Sequence, residues 1–139
     1  TGIVDELFDY LRDLDLPPDH FAVFGSGPLI VRGWVKGTND LDVICRGSAW
    51  EKACAGGIVS YDERYDVSLA SHCSGRVTFG TSWGIGEFDV DELINTSEFI
   101  DGLPFVRLEH VIEYKQVRSS PKDLLHLEQY KVATSAAKT

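Results

Sequence analysis

One stretch constrains this chain more than any other. His20-Phe21-Ala22-Val23-Phe24 runs into Gly25-Ser26-Gly27-Pro28, and Asp40-Leu41-Asp42-Val43-Ile44-Cys45 follows a short distance on. The first run reads as a buried strand and the glycines as its turn, since glycine tolerates backbone conformations closed to other residues. Pro28 suits the first position of a helix, where an N–H is dispensable, and that helix is expected to carry Leu29, Ile30, Val31 and Trp34. The second run alternates with period two and predicts a further strand. Strand, turn, helix and strand in so few residues point to a mixed α/β (α+β) layer, with helices packed on a small mixed sheet.

The second strand carries the chemistry. Asp40 and Asp42 stand two apart, so their side chains leave the same face. Neighbouring carboxylates repel unless a cation joins them or one takes a proton, and Mg²⁺ favours such oxygen ligands beside substrate phosphates. The same residues equally suit a solvated strand start. The Gly25-Ser26-Gly27 turn offers helix-start N–H groups and the Ser26 hydroxyl to an anion, or is an ordinary turn with Ser26 as N-cap. Arg32, farther along, faces either phosphate or solvent.

Val23-Phe24-Gly25-Ser26 followed by Asp40-Leu41-Asp42-Val43 resembles the nucleotidyltransferase superfamily typified by DNA polymerase beta. Its signature is an apolar strand, Gly-Gly or Gly-Ser, a short helix, and Asp-x-Asp or Asp-x-Glu on the next strand. The intervening Ser26-Gly27-Pro28-Leu29-Ile30-Val31-Arg32-Gly33 looks most like small nucleotidyltransferase-like proteins of abortive-infection and toxin–antitoxin systems. Leu108-Glu109-His110-Val111-Ile112-Glu113-Tyr114-Lys115, and then Arg118 to Leu127, are similar to that group's helix ending in Lys and its Arg-x-Lys-Asp opening the last helix.

The resemblance implies a minimal nucleotidyltransferase fold with Mg²⁺ held by Asp40 and Asp42. It implies a nucleoside triphosphate, ATP foremost, bound at Gly25, Ser26, Arg32 and Lys122, with Lys115 brought to the phosphates. The implied reaction moves a nucleoside monophosphate to a hydroxyl acceptor: a small molecule, a protein or an RNA end. An antitoxin or another protein is the implied partner. Superfamily enzymes carry a third acid on a later strand. Asp89, within Glu87-Phe88-Asp89-Val90-Asp91, matches by pattern, although Asp89 or Asp91 can equally cap a short helix. In the other strand that suits the place, Arg76 to Thr81, Thr78 stands where an acid is expected. Without a third acid the chain reads as a non-catalytic nucleotide-binding or regulatory domain. A structural or partner-binding protein with coincidental motifs is the blander reading.

The carboxyl-terminal residues have structural readings of their own. Ser120-Pro121-Lys122-Asp123 spells a capping box, Lys115 suits a helix end through the macrodipole without any ligand, and Arg118 and Lys122 likewise have structural readings beside the functional one. The 139 residues fit one domain, 1–139, with a core of its own. The net charge of −9 argues against extensive nucleic-acid binding. Acids crowd the start, with Asp5, Glu6, Asp9, Asp13, Asp15 and Asp19 against Arg12. Lys115, Arg118, Lys122 and Lys131 instead gather near the end, where an acidic substrate is drawn.

Cys45, Cys54 and Cys73 lack paired spacing, so neither disulfide framework nor zinc site is expected. His20, His72, His110 and His126 are scattered and read as surface or satisfied interior residues. No leader or membrane-spanning run is evident, and a cytoplasmic protein is expected. Periodicity further predicts a helix from Ile3 to Leu14, and another from Ser48 as cap to Ala55, closed by Gly56-Gly57. Meandering strands are expected between Ile58 and Val90, and a hairpin turning at Asp101-Gly102. Helices are expected from Leu108 to Val117 and from Pro121 towards Ala136, with a frayed tail from Thr134.

Overall fold

The computed structural model describes residues 3–35, 39–82 and 88–137, so Glu87 of the motifs above lies outside it. In chain order the elements are α1 (Ile3–Asp13), β1 (Phe21–Phe24), α2 (Gly27–Ile30), β2 (Leu41–Cys45), α3 (Gly47–Gly56), β3 (Ile58–Asp62) and β4 (Val67–His72). A 3₁₀ turn at Cys73–Gly75 precedes β5 (Val77–Gly80), α4 (Val90–Asn95), β6 (Glu98–Ile100), β7 (Leu103–Phe105), α5 (Leu108–Arg118) and α6 (Pro121–Ala137). The strands form one open mixed sheet in the order β3-β4-β5-β2-β1-β7-β6.

At its centre β1 runs antiparallel to β2, while β7 lies parallel to β1 and β5 parallel to β2. Both faces of the central strands are covered, which is why β1 reads as an unbroken apolar run. Phe21 and Val23 join Leu41, Val43, Cys45, Val77 and Phe79 in one core, closed by Leu7, Phe8 and Leu11 of α1 and by Ala49 and Ala53 of α3. Phe8 meets Phe105 edge-on there, with ring centroids 5.7 Å apart. On the opposite face Ala22, Phe24 and Ile44 pack with Leu29, Leu93, Ile94, Val111 and Tyr114, so α2, α4 and α5 lie on that side. Each large side chain buried in this way contributes about 1.5–3 kcal/mol, before the entropy of ordering it is set against the gain.

The hairpin turns where expected, with Asp101 and Gly102 both at positive φ (51° and 82°), the backbone of a type I′ turn. Three local expectations are corrected. α2 closes at Ile30, and the chain swings away through Gly33 at φ 76°, leaving Val31 and Trp34 beyond the helix. The N-cap of α3 is Arg46 and not Ser48, because the helix already begins at Gly47. α6 continues to Ala137 instead of fraying at Thr134, whose hydroxyl bonds back to the Tyr130 carbonyl at 2.9 Å.

α2 sits unusually close to β1. A Cβ added to Gly27 would overlap Val23 Cγ1, and Val23 is fully buried. Gly27→Ala is expected to lower stability by about 1–3 kcal/mol through overpacking. Chemical denaturation measures this directly, and an unchanged midpoint would contradict the packing described.

Candidate functional site

The site starts from strand register. Asp42 lies opposite Phe24 on β1 and beside Thr78 on β5. It therefore projects from the face covered by α4 and α5, and Asp40, two residues earlier, shares that side. The turn after β1 passes directly over Asp42. Gly25 adopts φ 60°, a conformation that favours glycine, and a Cβ there would stand 2.9 Å from Asp42 Oδ2, so a larger residue would have to displace that carboxylate. Asp42 is half-buried and Asp40 exposed. Burial, and then the charge of Asp40, push the Asp42 carboxyl up to about 6, against the opposing pull of Arg118, Lys122 and Lys115.

The opposing wall is built by α5 and α6. Asp123, fully buried, receives both Nε and Nη2 of Arg118 at 2.6 Å and the Lys115 ammonium at 3.4 Å. It also closes the capping box: the Ser120 N–H and hydroxyl donate to Asp123 Oδ2 at 3.1 and 2.7 Å. The capping and functional readings of Asp123 thus describe one carboxylate. Burial raises its pKa, but the hydrogen bonds from Arg118 and Ser120 outweigh that and hold it well below the ordinary aspartate range. Arg118 is raised in turn, chiefly by its bond to Asp123, and its Nη1 donates to the Tyr114 hydroxyl at 3.0 Å.

Lys115 is not a helix-end surface lysine; its side chain has no exposure at all. Desolvation lowers its pKa, while Asp123 favours the charged form. Its ammonium reaches Ser26 Oγ at 2.9 Å and lies 3.3 Å from His126 Nδ1, which is itself 2.9 Å from Ser26 Oγ. Burial, then the charge of Lys115, lower His126 to about 4, so its imidazole is neutral at pH 7. An ammonium beside Nδ1 requires that nitrogen to accept, which assigns the ring proton to Nε2. Ser26 then accepts from Lys115 and donates its own proton inward to His126. Ser26 occupies the N-cap position of α2, yet its side chain makes no capping bond.

Between the two walls lies a cleft of about 330 Å³ lined by Ser26, Asp40, Asp42, Arg118, Ser120 and Lys122. Lys122 spans it, with Nζ 3.4 Å from Asp40 Oδ1. A larger and more open hollow of about 730 Å³ lies over the β3–β4 hairpin, lined by Ser60 to Arg64 and Leu69. None of the residues singled out from the sequence borders it.

Six of the eight residues singled out as a site in the sequence thus converge: Asp40, Asp42, Ser26 and Lys122 line the cleft, Gly25 backs it and Lys115 lies behind Ser26. Two do not. Arg32 is drawn to Glu98 at 2.7 Å and to the Pro28 carbonyl. Asp89 is the exposed N-cap of α4, accepting from the backbone N–H of Asp91 and Glu92, and this role commits its carboxylate elsewhere. Asp91 pairs with Arg46 at 2.6 Å. Beside Asp42 stands Thr78, and among the described residues no three His, Cys, Asp or Glu side chains group to hold a metal by themselves. The sequence reading missed His126, whose signal was its position three residues after Asp123 on the same helical face. His72, by contrast, is a satisfied interior residue, bonded to the Tyr10 hydroxyl at 2.6 Å and to the Ala53 carbonyl at 2.8 Å.

Comparison with known proteins leaves this geometry to stand alone: no family model matches the chain, and neither a curated protein nor a solved structure matches it. Among the described residues no helix is long and apolar enough to cross a membrane.

Two stability effects follow from the site's charges. Asp123→Ala leaves the buried Lys115 ammonium without its counter-ion and is expected to cost about 3–5 kcal/mol in denaturant titration. Asp42, with its raised pKa, binds its proton more tightly folded than unfolded, so its contribution favours folding at low pH and is lost as pH rises from about 4 through about 6. Asp42→Asn is therefore expected to raise stability at pH 7 by on the order of 1–2 kcal/mol, with little change at pH 4. Equal effects at both pH values would contradict the burial and repulsion assigned to Asp42.

Proposed function

We propose that this chain is a nucleotidyltransferase-like protein that takes a Mg²⁺–nucleoside triphosphate, ATP foremost, in the cleft between β2 and α6. The reaction is transfer of the nucleoside monophosphate to a hydroxyl acceptor. The observation that carries this reading is the facing of two same-side carboxylates, Asp40 and Asp42, by Arg118 and Lys122 across one cleft, under the Gly25-Ser26 turn.

The donor set fits the metal. Asp40 and Asp42 supply adjacent oxygen ligands at an open cleft, and their mutual repulsion favours a divalent cation. Bound there, Mg²⁺ would neutralise charge on the phosphates and on the group leaving as pyrophosphate. The protein's own residues do the positioning. Gly25 lets the backbone come close to a phosphate, and Lys122 and Arg118 offer cationic donors from the opposite wall. Lys115 acts one step back, donating to Ser26 and setting a positive charge behind the turn. The acceptor hydroxyl releases its proton to solvent as its oxygen bonds to the α-phosphorus and the bond to pyrophosphate breaks, and pre-aligned charges of this kind stabilise such a displacement.

A second reading, nucleotide binding without turnover, is favoured by two observations: Thr78 stands beside Asp42, and Asp89 is committed to capping α4. The chain is then a regulatory or binding domain with the same cleft. Transfer of label from a triphosphate to a cell-extract acceptor, abolished by Asp42→Asn, separates the two.

Calorimetry with Mg²⁺ and each triphosphate tests the shared site. Binding by the wild-type protein and its loss in Asp40→Ala/Asp42→Ala are expected, whereas undiminished binding in that variant overturns the assignment. Because Asp42 must be ionised to hold the cation, affinity is expected to fall as pH drops through about 6. A pH-independent affinity between 5 and 8 would contradict Asp42 as a ligand.

A further inference from the structure

We propose that Lys122 is a tethered counter-ion of the acidic pair, which keeps free metal out of the cleft and admits it together with a nucleotide, whose phosphates receive the displaced ammonium. This rests on the reading of the cleft as a metal–nucleotide site and assigns Lys122 a part in ordering how that site fills.

The geometry separates Lys122 from the other cations of the wall. Lys115 is fully buried and bonded to Ser26 and Asp123. Arg118 grips both oxygens of Asp123. Among the described residues Lys122 meets Asp40 alone, at 3.4 Å, with side-chain exposures of 49% and 51% for the two partners. Such a pair is weak, screened by water and easily parted. Its root is nevertheless fixed, because Lys122 adjoins Asp123 in the first turn of α6, where the capping box and the Arg118 fork set the helix start. The ammonium is thus free to swing while its anchorage stays still.

A cation and the ammonium compete for the same Asp40 oxygen. A free divalent ion must part the pair and then sit beside the released positive charge, with Arg118 and Lys115 already nearby. A triphosphate arriving with the metal brings several negative charges and gives the ammonium a new partner across the cleft. Metal and nucleotide therefore bind with positive coupling, and by linkage each strengthens the other equally.

The test uses Mn²⁺ as the probe metal, with and without a nonhydrolysable ATP analogue, on the wild-type chain, Lys122→Met and Asp40→Asn/Asp42→Asn. Lys122→Met keeps the aliphatic stem on an exposed first-turn site, and circular dichroism checks its fold. Paramagnetic resonance of free Mn²⁺ gives the affinities. In Lys122→Met, Mn²⁺ alone is expected to bind roughly three- to tenfold tighter, and the analogue to strengthen Mn²⁺ binding by a correspondingly smaller factor. Mn²⁺ affinity unchanged or weakened in Lys122→Met overturns the counter-ion role while leaving the site reading intact. Mn²⁺ bound undiminished by Asp40→Asn/Asp42→Asn, or by neither the wild type nor Lys122→Met, overturns the site reading and this inference with it.

Discussion

The arrangement of this molecule's polar side depends on one buried carboxylate. Asp123 binds Arg118 through a two-pronged contact, offsets the buried Lys115 and closes the first turn of α6 through Ser120. Burying Asp123 and Lys115 and partly burying Arg118 is unfavourable unless each finds partners, and here the partners lie on two successive helices. The same carboxylate thus ties the start of α6 to the end of α5, and pairs with Lys115, whose ammonium reaches back to Ser26 in the turn after β1. Remove its charge, and the wall facing Asp40 and Asp42 loses both its order and its compensation.

The facing wall is set by a different physics. Backbone pairing between β1 and β2 places Asp42 opposite Phe24, and the parallel partner β5 places Thr78 beside it. The strand has no freedom to turn Asp42 away, because Leu41 and Val43 are buried in the core on the other face. Apolar burial thus holds in place a carboxylate whose own environment disfavours its charge. A cation, supplied by Lys122 or by a bound metal, relieves that cost. The whole chain is acidic, yet Arg118 and Lys122 line the cleft and Lys115 lies behind it, so the acids Asp40, Asp42 and Asp123 are matched there by an equal number of cations.

Much of this was legible in the sequence, for reasons that can be named. β1 and β2 showed because a doubly covered strand is continuously apolar and an edge of carboxylates interrupts the pattern at fixed spacing. The Asp101-Gly102 turn and the capping box showed because their chemistry is local. What did not show was long-range. The commitment of Arg32 to Glu98 depends on a strand sixty-six residues away, and the burial of Lys115 depends on Asp123 being brought beneath it. His126 shares a helical face with Asp123, but its partners Ser26 and Lys115 come from two other elements, so its place in the site did not show. Asp89 matched a pattern for an acid on a strand, but the backbone N–H groups opening α4 claimed its carboxylate.

If the acidic face of β2 and the cationic start of α6 form one metal–nucleotide cleft, as proposed, a crystal structure of the chain with Mg²⁺ and a nonhydrolysable triphosphate reveals it. The metal is expected between the carboxylates of Asp40 and Asp42, with the triphosphate lying under the Gly25-Ser26 turn against Lys122. A nucleotide bound elsewhere, or a metal that leaves Asp42 untouched, would contradict it.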